Sequence, residues 1–103
     1  MSDVTKEIDG LLVEWDSKKA AINKQKHGVS FENAALVFAD ENAIISRDDK
    51  HSYDEDRWQI IGKVGDILFV VYTERGEALR LITARVATPN ERSEYYACAT
   101  NYL

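Results

Sequence analysis

The residues best suited to chemistry are two histidines, one glutamate and a run of arginines in the second half of the chain. His27 directly follows Lys26. Histidine is the side chain that exchanges protons near neutral pH, so this pair sets a proton carrier beside a fixed cation. His51, Glu55 and Arg57 share one short polar stretch, where Glu55 offers a base and Arg57 a clamp for an anionic group. Arg80 and Arg85 follow in one apolar segment, and Arg92 and Tyr95 stand one helical turn apart near the C-terminus. Arginine presents a planar fork that matches phosphate bidentately. Proton transfer beside several guanidinium groups suits a phosphate-bearing partner.

Each of these positions also has a plain structural reading. A lysine and a histidine in the last turn of a helix complement the negative end of its dipole. His51 and Glu55 sit among Asp48, Asp49, Asp54 and Asp56, which reads equally as a solvated acidic loop. Arg80 and Arg85 are separated by an odd number of positions, so on a regular strand they point to opposite faces. A bulge, or a site at the strand end, would bring them together. Either could instead pair with Glu91, Glu74 or another carboxylate. Tyr95 could pack its helix onto a sheet, and Trp15, Trp58, Phe31, Phe38 and Phe69 are expected in the core.

The elements that must position these groups can be read from periodicity and punctuation. Residues 11–16 predict a short strand with Leu11, Val13 and Trp15 on one face. Asp16 or Ser17 caps a helix over 18–27, and Gly28 ends it by accepting the left-handed conformation. Ser30 caps a second helix over 31–39, whose Phe31, Ala34, Ala35 and Phe38 follow helical spacing. Strands are expected over 43–47, 57–63, 67–74 and 78–86, with a polar loop over 48–56 and turns at Gly65 and Gly76. Thr88-Pro89-Asn90-Glu91 is a complete helix start, with an N-cap threonine, proline at the first position and glutamate three residues after the cap. That helix runs to about residue 98. The expected class is α+β: an antiparallel meander packed with two N-terminal helices and one C-terminal helix.

Composition bounds the function. At 103 residues, 45% hydrophobic and 30% charged, the chain is expected to form a single domain over 1–103. The longest apolar run, 67–72, is far short of the ~20 residues needed to cross a bilayer. No basic-then-apolar leader opens the chain, and Cys98 is the lone cysteine, so a reduced, cytoplasmic protein is expected without membrane contact. No Cys/His spacing suits zinc, and neither a metal nor a cofactor is expected. The net charge of −5 counts against a simple nucleic-acid binder. Yet the charge is uneven: residues 1–56 carry 7 Lys+Arg against 13 Asp+Glu, and residues 57–103 carry 6 against 5. No helix-turn-helix with a basic recognition helix is present, which sets aside a DNA-binding regulator acting alone.

The ordered set of motifs resembles the BrnT-type toxins. It comprises Trp15-Asp16, Lys26-His27-Gly28-Val29-Ser30-Phe31-Glu32, Ala34-Ala35, His51-Ser52, Glu55-Asp56-Arg57 and Ile61-Gly62. Val70-Val71-Tyr72-Thr73-Glu74-Arg75-Gly76, Arg80-Leu81-Ile82-Thr83-Ala84-Arg85 and Glu91-Arg92 with Tyr95 complete it. The resemblance covers residues 14–96. It implies a RelE-like fold and a ribonuclease toxin of a type II toxin–antitoxin system that cleaves RNA without metal and so inhibits translation. It further implies neutralisation by a BrnA-type antitoxin, and contact with operator DNA only through that complex. Under this resemblance Lys26, His27, Glu55, Arg57, Arg80 and Arg85 are the catalytic candidates, and His51, Arg75, Arg92 and Tyr95 are candidates for holding the RNA. The alternative is a non-catalytic module that binds the antitoxin and acts as co-repressor, which the acidic balance favours.

Overall fold

The computed structural model describes residues 3–53 and 55–100; Asp54 of the acidic loop and the two chain ends lie outside the described residues. The elements are β1 (Asp3–Ile8), β2 (Leu11–Asp16), α1 (Ser17–His27), α2 (Phe31–Ala34), β3 (Ile44–Arg47), β4 (Arg57–Val64), β5 (Asp66–Arg75), β6 (Ala78–Val86) and α3 (Pro89–Thr100). A 3₁₀ turn at Ala35–Ala39 continues α2, and another at Asp49–His51 lies in the polar loop.

The six strands form one sheet in the order β1-β2-β6-β5-β4-β3. The expected meander is present as β4, β5 and β6, with β3 added antiparallel to β4. Two features correct the sequence reading. The sheet is mixed, because β2 runs parallel to β6. And β1, which the reading passes over, forms an antiparallel hairpin with β2. Its two-residue turn is Asp9-Gly10, both at positive φ (51° and 82°), the conformation that matches the twist of paired strands. The second helix is also shorter than expected: only its first turn is α-helical, and the rest tightens to 3₁₀.

Local signals place the helices as expected. The Asp16 carboxylate accepts from the Lys18 and Lys19 N–H groups, and Gly28 ends α1 at φ 74°. At α3 the capping is reciprocal. The Thr88 N–H donates to Glu91 Oε1 at 2.8 Å, and the Glu91 N–H donates to Thr88 Oγ1 at 3.2 Å.

Period-2 alternation divides the strand residues between two faces. On one face α1, α2 and the 3₁₀ turn cover Trp15, Ile60, Leu68, Val70, Tyr72 and Leu81. Trp15 and Phe31 meet edge-to-face there, with centroids 6.1 Å apart, and both are buried. Gly62 lies under the 3₁₀ turn, where an added Cβ would stand 3.0 Å from the Val37 Cβ, so a side chain there would press the turn away from the sheet. On the other face α3 covers only one end of the sheet, seating Tyr95 against Ile61 and Ile67. The rest of that face is open.

Among the described residues the edge of β6 beyond Arg80 has no strand neighbour, since β2 pairs only with Ala78–Arg80 before turning into α1. Asn23 of α1 takes that place. Its Nδ2 donates to the Ala84 carbonyl at 2.8 Å, and its Oδ1 accepts from the Ala84 N–H at 3.1 Å. The same Nδ2 donates to the Val29 carbonyl, tying the loop after α1 to the sheet edge. A side-chain amide here supplies what a neighbouring strand would.

Candidate active site

The open face is built from cross-strand rows. Arg57 of β4, Thr73 of β5 and Arg80 of β6 stand in one row, continued by Glu14 of β2. Gln59, Val71 and Thr83 form the next, and Ile61, Phe69 and Arg85 the third, where α3 begins to cover the sheet. Arg80 and Arg85 share this face because β6 is bulged. Val71 is opposite Thr83 while Tyr72 is opposite Leu81, so Ile82 has no partner and the alternation resets.

Three hollows meet around Ile82. One, of about 340 Å³, is lined by Asp48, His51, Arg57, Gln59, Thr83 and Arg85, with Phe69 and Val71 as floor. A second, of about 80 Å³, holds Lys19, Glu55, Arg57, Arg75 and Arg80. The third, of about 200 Å³, runs along α1 past Lys19, Lys26 and His27 to Thr83. A larger hollow of about 540 Å³ lies elsewhere, between β1, α1 and α2; its ionisable side chains are Lys24 and Glu32, and no histidine or arginine reaches it.

Most of the arginines carry acidic partners. Arg80 is held by Asp3 and Glu14, and its affinity for its proton rises through the hydrogen bond to Asp3 first and that to Glu14 against the cost of burial. Arg85 donates both arms of its fork to Glu91, at 2.8 and 3.0 Å, and lies 4.1 Å over the Phe69 ring. Burial works to raise the Glu91 pKa, but the bonds from Arg85 and Thr88 prevail and lower it. Arg75 stands 4.0 Å from Glu55, a loose exposed pair. Arg57 differs: half-buried between two hollows, its guanidinium has no acidic partner among the described residues.

His51 is anchored by a carboxylate. Both Asp48 oxygens lie 3.0–3.1 Å from its Nδ1, and Asp48 is buried while the imidazole is exposed. A carboxylate accepts, so Nδ1 donates and Nε2 is left for the solvent side. Asp48 is a residue that the sequence reading placed only in the acidic loop; a carboxylate three positions before a histidine was the available signal.

Thus Glu55, Arg57, Arg75, Arg80, Arg85 and His51 gather on one face, and Lys26 and His27 line its continuation along α1. Arg92 and Tyr95 do not join them. Arg92 pairs with Asp66 at the β4–β5 turn. Tyr95 is buried and donates to Asp40 Oδ2 at 2.6 Å. Burial and that bond push the tyrosine pKa up to about 12. Burial alone would raise Asp40, but the Tyr95 hydroxyl and the Lys63 and Asn42 N–H groups bring it below the usual carboxylate range. No three His, Cys, Asp or Glu side chains among the described residues are grouped so as to hold a metal ion, and no helix is long and apolar enough to cross a membrane.

An α+β protein with a mixed sheet, three helices and an arginine-lined hollow on its open face is the class these features define. Comparison narrows it. Residues 15–91 match the family model of the ribonuclease toxin BrnT of type II toxin–antitoxin systems. The 1.1 Å crystal structure of the Brucella abortus ribonuclease toxin BrnT is similar, with a TM-score of 0.56 and 25% identity, over 72% of this chain and 92% of that one. No curated protein matches. The chain belongs to the BrnT family of ribonuclease toxins, whose toxin–antitoxin setting implies an antitoxin partner.

Proposed function

We propose that this protein is a metal-independent endoribonuclease toxin, acting in the cytoplasm as a single RelE-like domain to inhibit translation. A BrnA-type antitoxin neutralises it and carries the complex to operator DNA. The observation that carries the reading is Arg57: a half-buried guanidinium between two hollows, without an acidic partner among the described residues, with His51 and Arg85 lining one hollow and Arg75 and Glu55 the other.

The chemistry follows from the substrate. The ribose 2′-oxygen attacks the adjacent phosphorus, the bond from phosphorus to the 5′-oxygen breaks, and a 2′,3′-cyclic phosphate and a 5′-hydroxyl result. The 2′ proton must leave and the 5′-oxygen must gain one. His51, oriented by Asp48, exchanges one of these protons through Nε2, and Glu55 exchanges the other. Arg57 grips the phosphate as its charge grows, with Arg85 and Arg75 beside it. Arginines thereby fill the cationic role that a metal ion fills in other nucleases. Lys26 and His27 lie along the groove that leads away from this point and contact flanking nucleotides.

A second reading has its own support. Arg80, Arg85 and Arg92 are each neutralised by carboxylates, as expected of a module that binds an antitoxin without cutting RNA. Induction in a bacterium separates the two. Growth arrest with RNA decay, abolished by Arg57→Ala, supports the nuclease. Unimpaired growth with abundant folded protein supports the binding module.

A further inference from the structure

Arg80 belongs to the open face by register and lines the same hollow as Arg57, yet it is occupied. Glu14 stands beside it on β2, and Asp3 reaches it from β1 at 3.1 Å; its side chain is only 16% exposed. Both carboxylates come from the β1–β2 hairpin, before residue 15, where the family match begins. Register places Asp3 beside Asp16 and Glu14 beside Thr5, so the face ends in an acidic border along β1 and β2. The border on the α1 side is the reverse, with Lys19 and Lys26 lining the groove.

We propose that Asp3 and Glu14 are specificity-determining residues for the RNA substrate, a proposal that rests on the ribonuclease reading. They keep phosphate off Arg80 and close the β1–β2 side of the hollow to a polyanion. A single-stranded RNA gripped at Arg57 therefore leaves along α1, over Lys19 and Lys26, and not across the hairpin. Arg80 becomes a positioning residue that fixes the hairpin, with its charge withheld from the substrate.

The test is binding of a labelled single-stranded 2′-O-methyl oligoribonucleotide, which has no 2′ proton to lose and is not cleaved. Freeing Arg80 with Asp3→Asn/Glu14→Gln is expected to tighten binding about fivefold at low salt. It should also steepen the dependence of log K on log salt by about 0.7, one extra phosphate contact on a single strand. Both gains should vanish when Arg80→Ala is added, and Asp3→Glu should keep the wild-type values. Asp3→Asn alone, at an exposed strand end, should show part of the gain and guards against misfolding of the double variant. A purely structural role would lower Tm and leave affinity and salt slope unchanged; that result, or a gain that persists with Arg80→Ala, overturns the proposal. If Arg57→Ala loses binding while Asp3→Asn/Glu14→Gln changes nothing, the ribonuclease reading stands and this inference falls. If no form binds the oligonucleotide, both fall.

Discussion

Arg80 and Arg85 face the same side of the sheet although an odd number of positions separates them on β6. The cause is Ile82, which bulges between the residue opposite Tyr72 and the residue opposite Val71. The bulge also sets Ile82 at the junction of the three hollows. Local structure thus decides which charges meet. Insertion of one residue between Val71 and Tyr72 of β5 would give Ile82 a partner, restore regular alternation and turn either Arg80 or Arg85 toward the apolar face, where an unpaired charge is costly. The expected outcome is loss of RNA cleavage together with a lower Tm, whereas Ile82→Val keeps both near wild type. Thermal unfolding and a cleavage assay on the two variants check it.

Asn23 carries more stability than an amide on a basic helix suggests. Replacing it with leucine leaves the Ala84 N–H and carbonyl without partners at a buried position. A cost of about 3 kcal/mol is expected from two unsatisfied groups, a fall in Tm of at least about 10 °C for a domain of this size. Circular dichroism melts would show it, and an unchanged Tm would mean that water satisfies the edge instead.

The bond between Tyr95 and Asp40 makes stability depend on pH at both extremes. The tyrosine pKa is raised to about 12, so its contribution is complete below the unfolded value near 10 and is lost as pH rises from there through 12. The Asp40 pKa is lowered, so its contribution is present above the unfolded value near 3.8 and is lost as pH falls below that. Tyr95→Phe should lower stability by about 1–2 kcal/mol at neutral pH. It should also flatten the alkaline limb between pH 10 and 12, as denaturant unfolding across that range would reveal. RNA cleavage at neutral pH should survive, because Tyr95 is buried away from the hollow.

Much of this arrangement is legible in the residues. The capping box at Thr88 and Glu91, the Gly28 stop and the β4–β6 meander are local signals, and local signals need no knowledge of the rest of the chain. The hairpin at Asp9-Gly10 carries an equally local signal, but Lys6 interrupts the apolar alternation of β1 and masks it. The parallel pairing of β2 with β6 joins segments far apart in sequence, and nothing near either segment announces it. The same holds for the bulge at Ile82, which exists only relative to β5, and for Asn23, whose task appears only once an unpaired edge does. At the candidate site, Arg57, His51 and Glu55 were recognisable by type. Asp48 was not, because four other acidic residues surround it in the loop and only the fold buries this one.

His51 and Asp48 should act as a unit of unequal halves. His51→Ala removes the proton carrier and is expected to slow cleavage by about 10²-fold or more. Asp48→Asn keeps the imidazole and loses the carboxylate that orients it, so a smaller loss is expected. Single-turnover rates for the two variants and their combination would show whether the effects overlap. Equal, additive losses would mean that the two residues work separately.

The central claim is that Arg57 grips the scissile phosphate. The direct measurement is the single-turnover cleavage rate of a short single-stranded RNA by purified wild-type protein and by Arg57→Ala, without added metal and with melting curves to confirm folding. A loss of about 10²–10³-fold in the folded variant is expected, the usual cost of removing a group that stabilises transition-state charge. Equal rates for the two proteins, or no cleavage by either, would contradict it.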